Sequence, residues 1–309
     1  MYQKIHTGSF ICLFLLTSLS FISSPLALVA GFSFSFLFGN PLPELTSKTG
    51  KILLKTSVVG LGFGVNFHEV IAIGKSSLLL TLISISAILV LGEVLGILLK
   101  IPANTRRLVC FGTAICGGSA IAAMAPVIKA KEEEIAVSLA TVFTLNALSL
   151  LIFPPLGHLF GLGQQQFGLW AALAIHDTSS VVGASAAFGA LALTVGTTTK
   201  LTRALWIAPC SLAASVFLKS GERAGVPLFI VGFIAAAFTN SWFPALNQLW
   251  DGIYLVARQA LVMTLFLIGA GLTRKVLQQV GFKPFLLGSI LWIIVSTVTL
   301  TLIINGTIH

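Results

Sequence analysis

Apolar residues run along this chain in long, unbroken blocks rather than in alternation, and short polar connectors separate the blocks. Blocks of about 15 to 25 residues suit helices that cross a hydrocarbon layer roughly 30 Å thick. They predict spans near 9–23, 25–39, 51–67, 76–99, 134–156, 204–219, 226–240, 253–272 and 283–305. Two further stretches, 105–129 and 166–198, are apolar at both ends and polar or glycine-rich at the centre. If these two cross fully the chain makes 11 crossings, and if both dip in and return it makes 9. A membrane β-barrel would instead show alternating segments of about ten residues. The fold class expected is an all-α integral membrane protein with two interrupted or re-entrant helices.

Composition points the same way. Of 309 residues, 56% are hydrophobic and 9% charged, with mean hydropathy +1.02. A soluble domain carries about 25% charged residues, so lipid must be the outer solvent here. In lipid only helices and closed barrels satisfy their own backbone. The connectors are short, so residues 1–309 are expected to form one multi-pass domain. Within it, 1–24 is a first helix resembling an uncleaved signal anchor, although Ser23-Ser24 mimics a cleavage site. Residues 25–160 form a first half and 161–309 a second.

The net charge of +9 comes mostly from connectors such as Arg106-Arg107 and Arg274-Lys275. This reads as membrane orientation rather than nucleic-acid binding. With the N-terminus inside and every stretch crossing, Lys75, Lys129, Lys131, Lys200 and Arg203 fall outside. If the two interrupted stretches return, Lys129 and Lys131 move inside, so the charges lean toward re-entrant hairpins. Cys12, Cys110, Cys116 and Cys210 lie in apolar stretches without a CxxC and read as small buried hydrophobes. There is no P-loop lysine motif, zinc-ligand cluster or GxSxG, and no cofactor or metal is expected.

A weak internal repeat is present. Gly31-Phe32, Pro43 and Leu45 recur 201 residues later as Gly232-Phe233, Pro244 and Leu246, and Gly60-Leu61-Gly62 recurs as Gly269-Ala270-Gly271. An odd number of crossings separates the first pair, so the copies would be inverted, a construction common in secondary transporters.

The candidate chemistry sits in the interrupted stretches. In the first, Gly112, Gly117 and Gly118 weaken a continuous helix, Pro126 removes a donor, and Ser119 is placed to cap a half-helix starting near Ala120. In the second, His176, Asp177, Thr178, Ser179 and Ser180 are five consecutive polar residues, with Asp177 or Ser179 as a cap. A broken helix frees N–H groups and presents about half a positive charge, which together make an anion site. Close packing of small residues is the competing explanation for the glycines. An ionisable pair such as His176-Asp177 inside the membrane is costly and points to function, although a satisfied structural pair or a surface loop is the alternative. Glu93, in mid-span, is a weaker coupling candidate, and Arg258 can snorkel. Asn66, Asn146 and Asn240 fit a pathway or interhelical hydrogen bonds equally. Glu132-Glu133-Glu134 reads as a solvated helix start, and Trp242 and Trp250 as interface anchors.

Gly112-Thr-Ala-Ile-Cys-Gly-Gly-Ser-Ala-Ile-Ala-Ala, followed by His176-Asp-Thr-Ser-x-Val-Val, resembles the YeiH family of bacterial membrane proteins, whose assigned activity is sulfate export. Leu61-Gly62-Phe63, Lys200-Leu-Thr-Arg203 and Gly269-Ala-Gly-Leu-Thr resemble it too, and the likeness covers residues 25 to 305. The resemblance implies a multi-pass protein of the bacterial inner membrane, related to inverted-repeat carriers. It also implies a site of Cys116, Gly117, Gly118 and Ser119 with His176, Asp177, Thr178 and Ser179. Ser180 stands where the resemblance implies a glutamine.

The leading expectation is a secondary transporter of a small anion such as sulfate, sulfite or a sulfonate. Cys116 to Ser119 and Thr178 to Ser180 would bind the substrate, and His176, Asp177 and Glu93 would couple a proton or sodium ion. The partners expected are that anion, the coupling ion and lipid, with no nucleic acid. A homodimer is compatible with carriers of this architecture, though no residue argues for one. Two other classes remain open at this point: an intramembrane enzyme pairing Ser119 or Cys116 with His176, and a channel or sensor without transport.

Overall fold

The computed structural model describes residues 2–19, 22, 24–218, 228–271, 273 and 281–308. Ser23, Lys219, Arg223, Leu272, Arg274 and Lys275, which figure in the sequence reading, lie outside the described residues. Among the described residues every regular element is a helix. They are α1 (Tyr2–Leu16), α2 (Ser24–Phe38), α3 (Pro43–Gly62), α4 (Phe67–Leu98), α5 (Ala103–Ala114), α6 (Gly118–Val127), α7 (Glu132–Leu159), α8 (Gln164–Ala174), α9 (Thr178–Phe188), α10 (Ala190–Leu205), α11 (Ile207–Leu218), α12 (Leu228–Trp242), α13 (Asn247–Gly271) and α14 (Phe282–Ile304), with a 3-10 turn at Pro244–Leu246 before α13. Four segments among the described residues are long and apolar enough to cross a membrane: Phe67–Leu98, Glu132–Leu159, Pro244–Gly271 and Phe282–Ile304. The chain divides into two compact units, Met1–Ala72 with Pro227–Lys275, and Ile73–Val226 with Val276–His309. These units cut across the sequence halves 25–160 and 161–309, because the last third of the chain contributes to both.

In the first unit, α2–α3 and α12–α13 are each two helices joined at a proline turn. α2 crosses α13 closely, since a Cβ on Gly31 would collide with the Phe266 carbonyl and one on Gly269 with that of Leu28. α12 crosses α3 in the same way: a Cβ on Gly62 would stand 2.5 Å from the Phe233 carbonyl oxygen. The caps are reciprocal as well. Asn40, after α2, donates to the Ala270 carbonyl at 3.0 Å, and Asn240, late in α12, donates to that of Val65 at 3.3 Å. Gly50 meets Leu267 whereas Gly60 meets Ala257, so α3 and α13 run antiparallel. Small residues at these crossings let backbones touch where lipid offers no hydrophobic drive. α1 packs through Phe10 against Phe34 and Phe266. Trp242 is exposed, whereas Trp250 is buried, stacked on Phe63 and bonded to the Phe243 carbonyl, so it packs inside the unit rather than standing as an interface anchor.

The second unit holds both interrupted stretches, and α7 serves as their ruler. Its 28 residues extend about 42 Å at 1.5 Å per residue. At its start, Glu134 accepts from Asn104 of α5 at 3.1 Å and from the Lys131 backbone at 2.8 Å. At its end, His158 stacks on Phe188 of α9, and Gly157 lies against Phe167 of α8.

Each interrupted stretch folds back on itself. α5 and α6 are linked across their turn by Gly112, which packs on Ile121, and α6 returns to the start of α7 through residues 128–131. α8 and α9 do the same from the other end of α7, and Phe167 at the base of α8 stacks on Phe188 at the base of α9 with centroids 3.8 Å apart. The half-helices have 12, 10, 11 and 11 residues. At about 1.5 Å per residue, each reaches roughly half of a 30 Å hydrocarbon layer. The two hairpins therefore enter from opposite ends of α7. The second predicted stretch, 166–198, comprises this hairpin and the first part of α10, which runs alongside α8 past the hairpin tip.

Candidate functional site

Asn146 lies midway along α7 and marks where the hairpin tips meet. Its Oδ1 accepts from the backbone N–H groups of both His176 and Asp177 at 3.1 Å. At the other tip, Gly117 adopts φ +66, a left-handed conformation that glycine takes without strain. A Cβ there would lie 3.0 Å from the Cβ of Asp177, so the tips are in contact.

The chain breaks at the two tips for different reasons. In the first hairpin Ile115 leaves helical geometry and Gly117 reverses the chain, and no side chain caps α6. Ser119, expected as a cap, instead sits in the first turn of α6 and is exposed. In the second, Ile175 is extended and Asp177 is a true N-cap: its carboxylate accepts from the Ser179 backbone N–H at 3.0 Å and also from the Ser179 hydroxyl. Capping by Asp satisfies a donor that the helix start would otherwise orphan.

Four helix ends converge at the tips. The C-terminal carbonyls of α5 and α8 are met by two cations from α10, each 0% exposed. Arg203 donates from Nε to the Ala114 carbonyl and from a terminal nitrogen to the Leu173 carbonyl, both at 2.6 Å, and reaches the Ser84 hydroxyl at 3.3 Å. Lys200 donates to the carbonyls of Ile175 at 2.7 Å and Ala172 at 3.3 Å. Cations suit the negative pole of a helix. Lys200 and Arg203, counted with the outer connectors in the sequence reading, are therefore buried tip residues. Their removal leaves Lys75 as the only outer basic residue in the re-entrant scheme.

The structure thus brings Cys116, Gly117, Gly118, His176, Asp177, Thr178, Ser179 and Ser180 to the two touching tips, with Ser119 one step along α6. Cys116, His176, Thr178, Ser179 and Ser180 are buried, Gly118 and Asp177 are half-buried, and Ser119 is exposed. Both His176 ring nitrogens and Nδ2 of Asn146 lack a hydrogen-bond partner among the described residues. Glu93 is not at the tips: its Oε1 accepts from Arg106 at 2.6 Å, and that arginine also reaches the Ile101 carbonyl. The sequence alone singles out neither Lys200 nor Arg203 as a site residue, and Asn146 stands in it on a par with Asn66 and Asn240. The i, i+3 spacing of two basic residues in an apolar, threonine-rich helix was the available signal.

These features define an α-helical membrane protein built around two opposed re-entrant hairpins. The chain matches the family described as Conserved hypothetical protein 698 over residues 14–288. It is 51% identical over 298 residues to a UPF0324 membrane protein of Geobacter sulfurreducens, covering 96% of each chain. It is 48% identical over 313 residues to one from Bdellovibrio bacteriovorus, covering 99% of this chain and 96% of that one. A third, from Vibrio parahaemolyticus, is 45% identical over 307 residues, covering 97% of this chain and 98% of its own. No solved structure matches. The chain belongs to the UPF0324 family of membrane proteins, the YeiH family that its motifs resemble.

Proposed function

We propose that this protein is a secondary transporter of a small anion across the bacterial inner membrane, with the sulfur oxyanions as candidate substrates. One observation carries the reading. Two half-helix N-termini, those of α6 and α9, point at one place midway along α7, beside two fully buried cations. Irregular backbone at membrane depth survives only where protein or a watery cavity surrounds it. Discontinuous helices whose positive ends face anionic groups are a recurrent transporter device. The reciprocal, antiparallel pairing of α2–α3 with α12–α13 fits the inverted construction of such carriers.

In this reading the N–H groups at the start of α6, with the hydroxyls of Ser119 and Thr178, hold the anion. His176 and Asp177 sit where a coupling proton or cation would act. Lys200 and Arg203 neutralise the carbonyl ends and keep the tips in place.

The test is flux of radiolabelled sulfate, sulfite and methanesulfonate into liposomes holding the purified full-length protein, measured across pH. His176→Ala and Asp177→Asn are expected to slow flux and flatten its pH dependence. Unchanged flux and pH profile in both variants would remove the coupling role, and no flux of any anion would remove the transporter reading.

A further inference from the structure

The charges at the tips do not balance. Lys200 and Arg203 direct their N–H groups at backbone carbonyls and not at a carboxylate. An arginine stays protonated in proteins, and an ammonium is favoured at the C-terminal pole of α8. Asp177 is the one carboxylate on either tip. The helix poles cancel in pairs, because α5 and α8 bring C-termini and α6 and α9 bring N-termini. With Lys200 and Arg203 protonated and Asp177 ionised, one positive charge is left over in a buried place.

Donors are left over as well. His176 is 1% exposed and Asn146 3% exposed, and the two ring nitrogens of the first and Nδ2 of the second have no partner among the described residues. A neutral imidazole carries one N–H, and the Asn146 amide carries two. Buried donors without acceptors, and buried charge without countercharge, both cost free energy. A single ligand relieves both costs if it brings one negative charge and several acceptor oxygens.

We propose, resting on the transporter reading above, that the tips select a singly charged oxyanion of the R–SO3⁻ type over divalent sulfate. A monoanion makes the tips neutral. A dianion would replace a buried positive charge with a buried negative one, at comparable cost. Asp177 is then a specificity-determining residue: by cancelling one of the two cations it sets the ligand's charge.

The experiment is counterflow exchange in liposomes, with radiolabelled methanesulfonate and radiolabelled sulfate each measured against its unlabelled ion. Thermal stabilisation of the detergent-purified protein by the same two ions is measured in parallel. Wild-type protein is expected to favour methanesulfonate by about ten-fold or more in apparent affinity. Asp177→Asn keeps a competent helix cap and leaves two cations uncancelled, so it is expected to move the preference toward sulfate by about ten-fold. A wild-type preference for sulfate, or an unchanged preference in Asp177→Asn, overturns the charge selection while leaving transport intact. Absence of both exchange and stabilisation by either ion overturns the transporter reading itself.

Discussion

Gly117 of the first hairpin and Asp177 of the second are packed so closely that a methyl group on Gly117 would stand 3.0 Å from the Asp177 Cβ and 3.2 Å from its Cα. Gly117 also holds φ +66, where an L side chain is strained. Gly117→Ala is therefore expected to destabilise the protein by about 1–3 kcal/mol. Thermal melting of the purified variant reads this directly, and an unchanged melting temperature would mean that the tips do not touch.

Arg203 ties one hairpin to the other, because a single guanidinium binds carbonyls of both tips. Lysine keeps the charge but presents a point donor rather than a planar fork. Arg203→Lys is expected to lose most of the flux despite its retained charge. Arg203→Gln is expected to lower stability by about 3 kcal/mol or more, because buried carbonyls lose a charged donor. Full flux in Arg203→Lys would show that one tip is enough for the cation to hold.

Asn146 caps the second tip from α7. Asn146→Ala strands the amide N–H groups of His176 and Asp177, each at a cost of about 1–3 kcal/mol. Asn146→Asp retains an acceptor and is expected to recover part of that loss. Melting curves of the two variants should rank wild type, aspartate, alanine in falling stability.

Glu93 serves as the contrast. Its side chain is 36% exposed and paired with Arg106. Solvent screening limits such a pair to well under about 1 kcal/mol. Glu93→Gln is expected to leave the pH profile of flux in place and to shift melting slightly. Loss of pH dependence in this variant would return Glu93 to the coupling role that the sequence suggested.

Much of this architecture can be read from the sequence, because apolar blocks announce helices and polar centres announce breaks. The hairpins were legible only as a lean in the lysine and arginine count, since charge reports sidedness and not chain reversal. What stayed hidden depended on tertiary contact. Lys200 and Arg203 look like connector charges until α10 is laid beside α8, which turns Lys200 onto the carbonyl of Ile175 and Arg203 onto those of Ala114 and Leu173. Asn146 resembles Asn66 and Asn240 until its place midway along α7 is known. Ser119 suits a cap by residue type, yet the left-handed Gly117 ends the break two residues earlier and leaves Ser119 inside the helix.

Opposed entry of the two hairpins is the claim on which the anion site depends, and sided cysteine labelling tests it most directly. Ala103, Lys129, Gln165 and Ala190 are exposed at the hairpin bases. Each is changed to cysteine in a background where Cys12, Cys110, Cys116 and Cys210 are replaced, and each is probed with a membrane-impermeant maleimide on oriented vesicles. Positions 103 and 129 should label from one side, and positions 165 and 190 from the other. Labelling of 103 and 129 from opposite sides, or of all four from one side, would contradict two hairpins that meet midway.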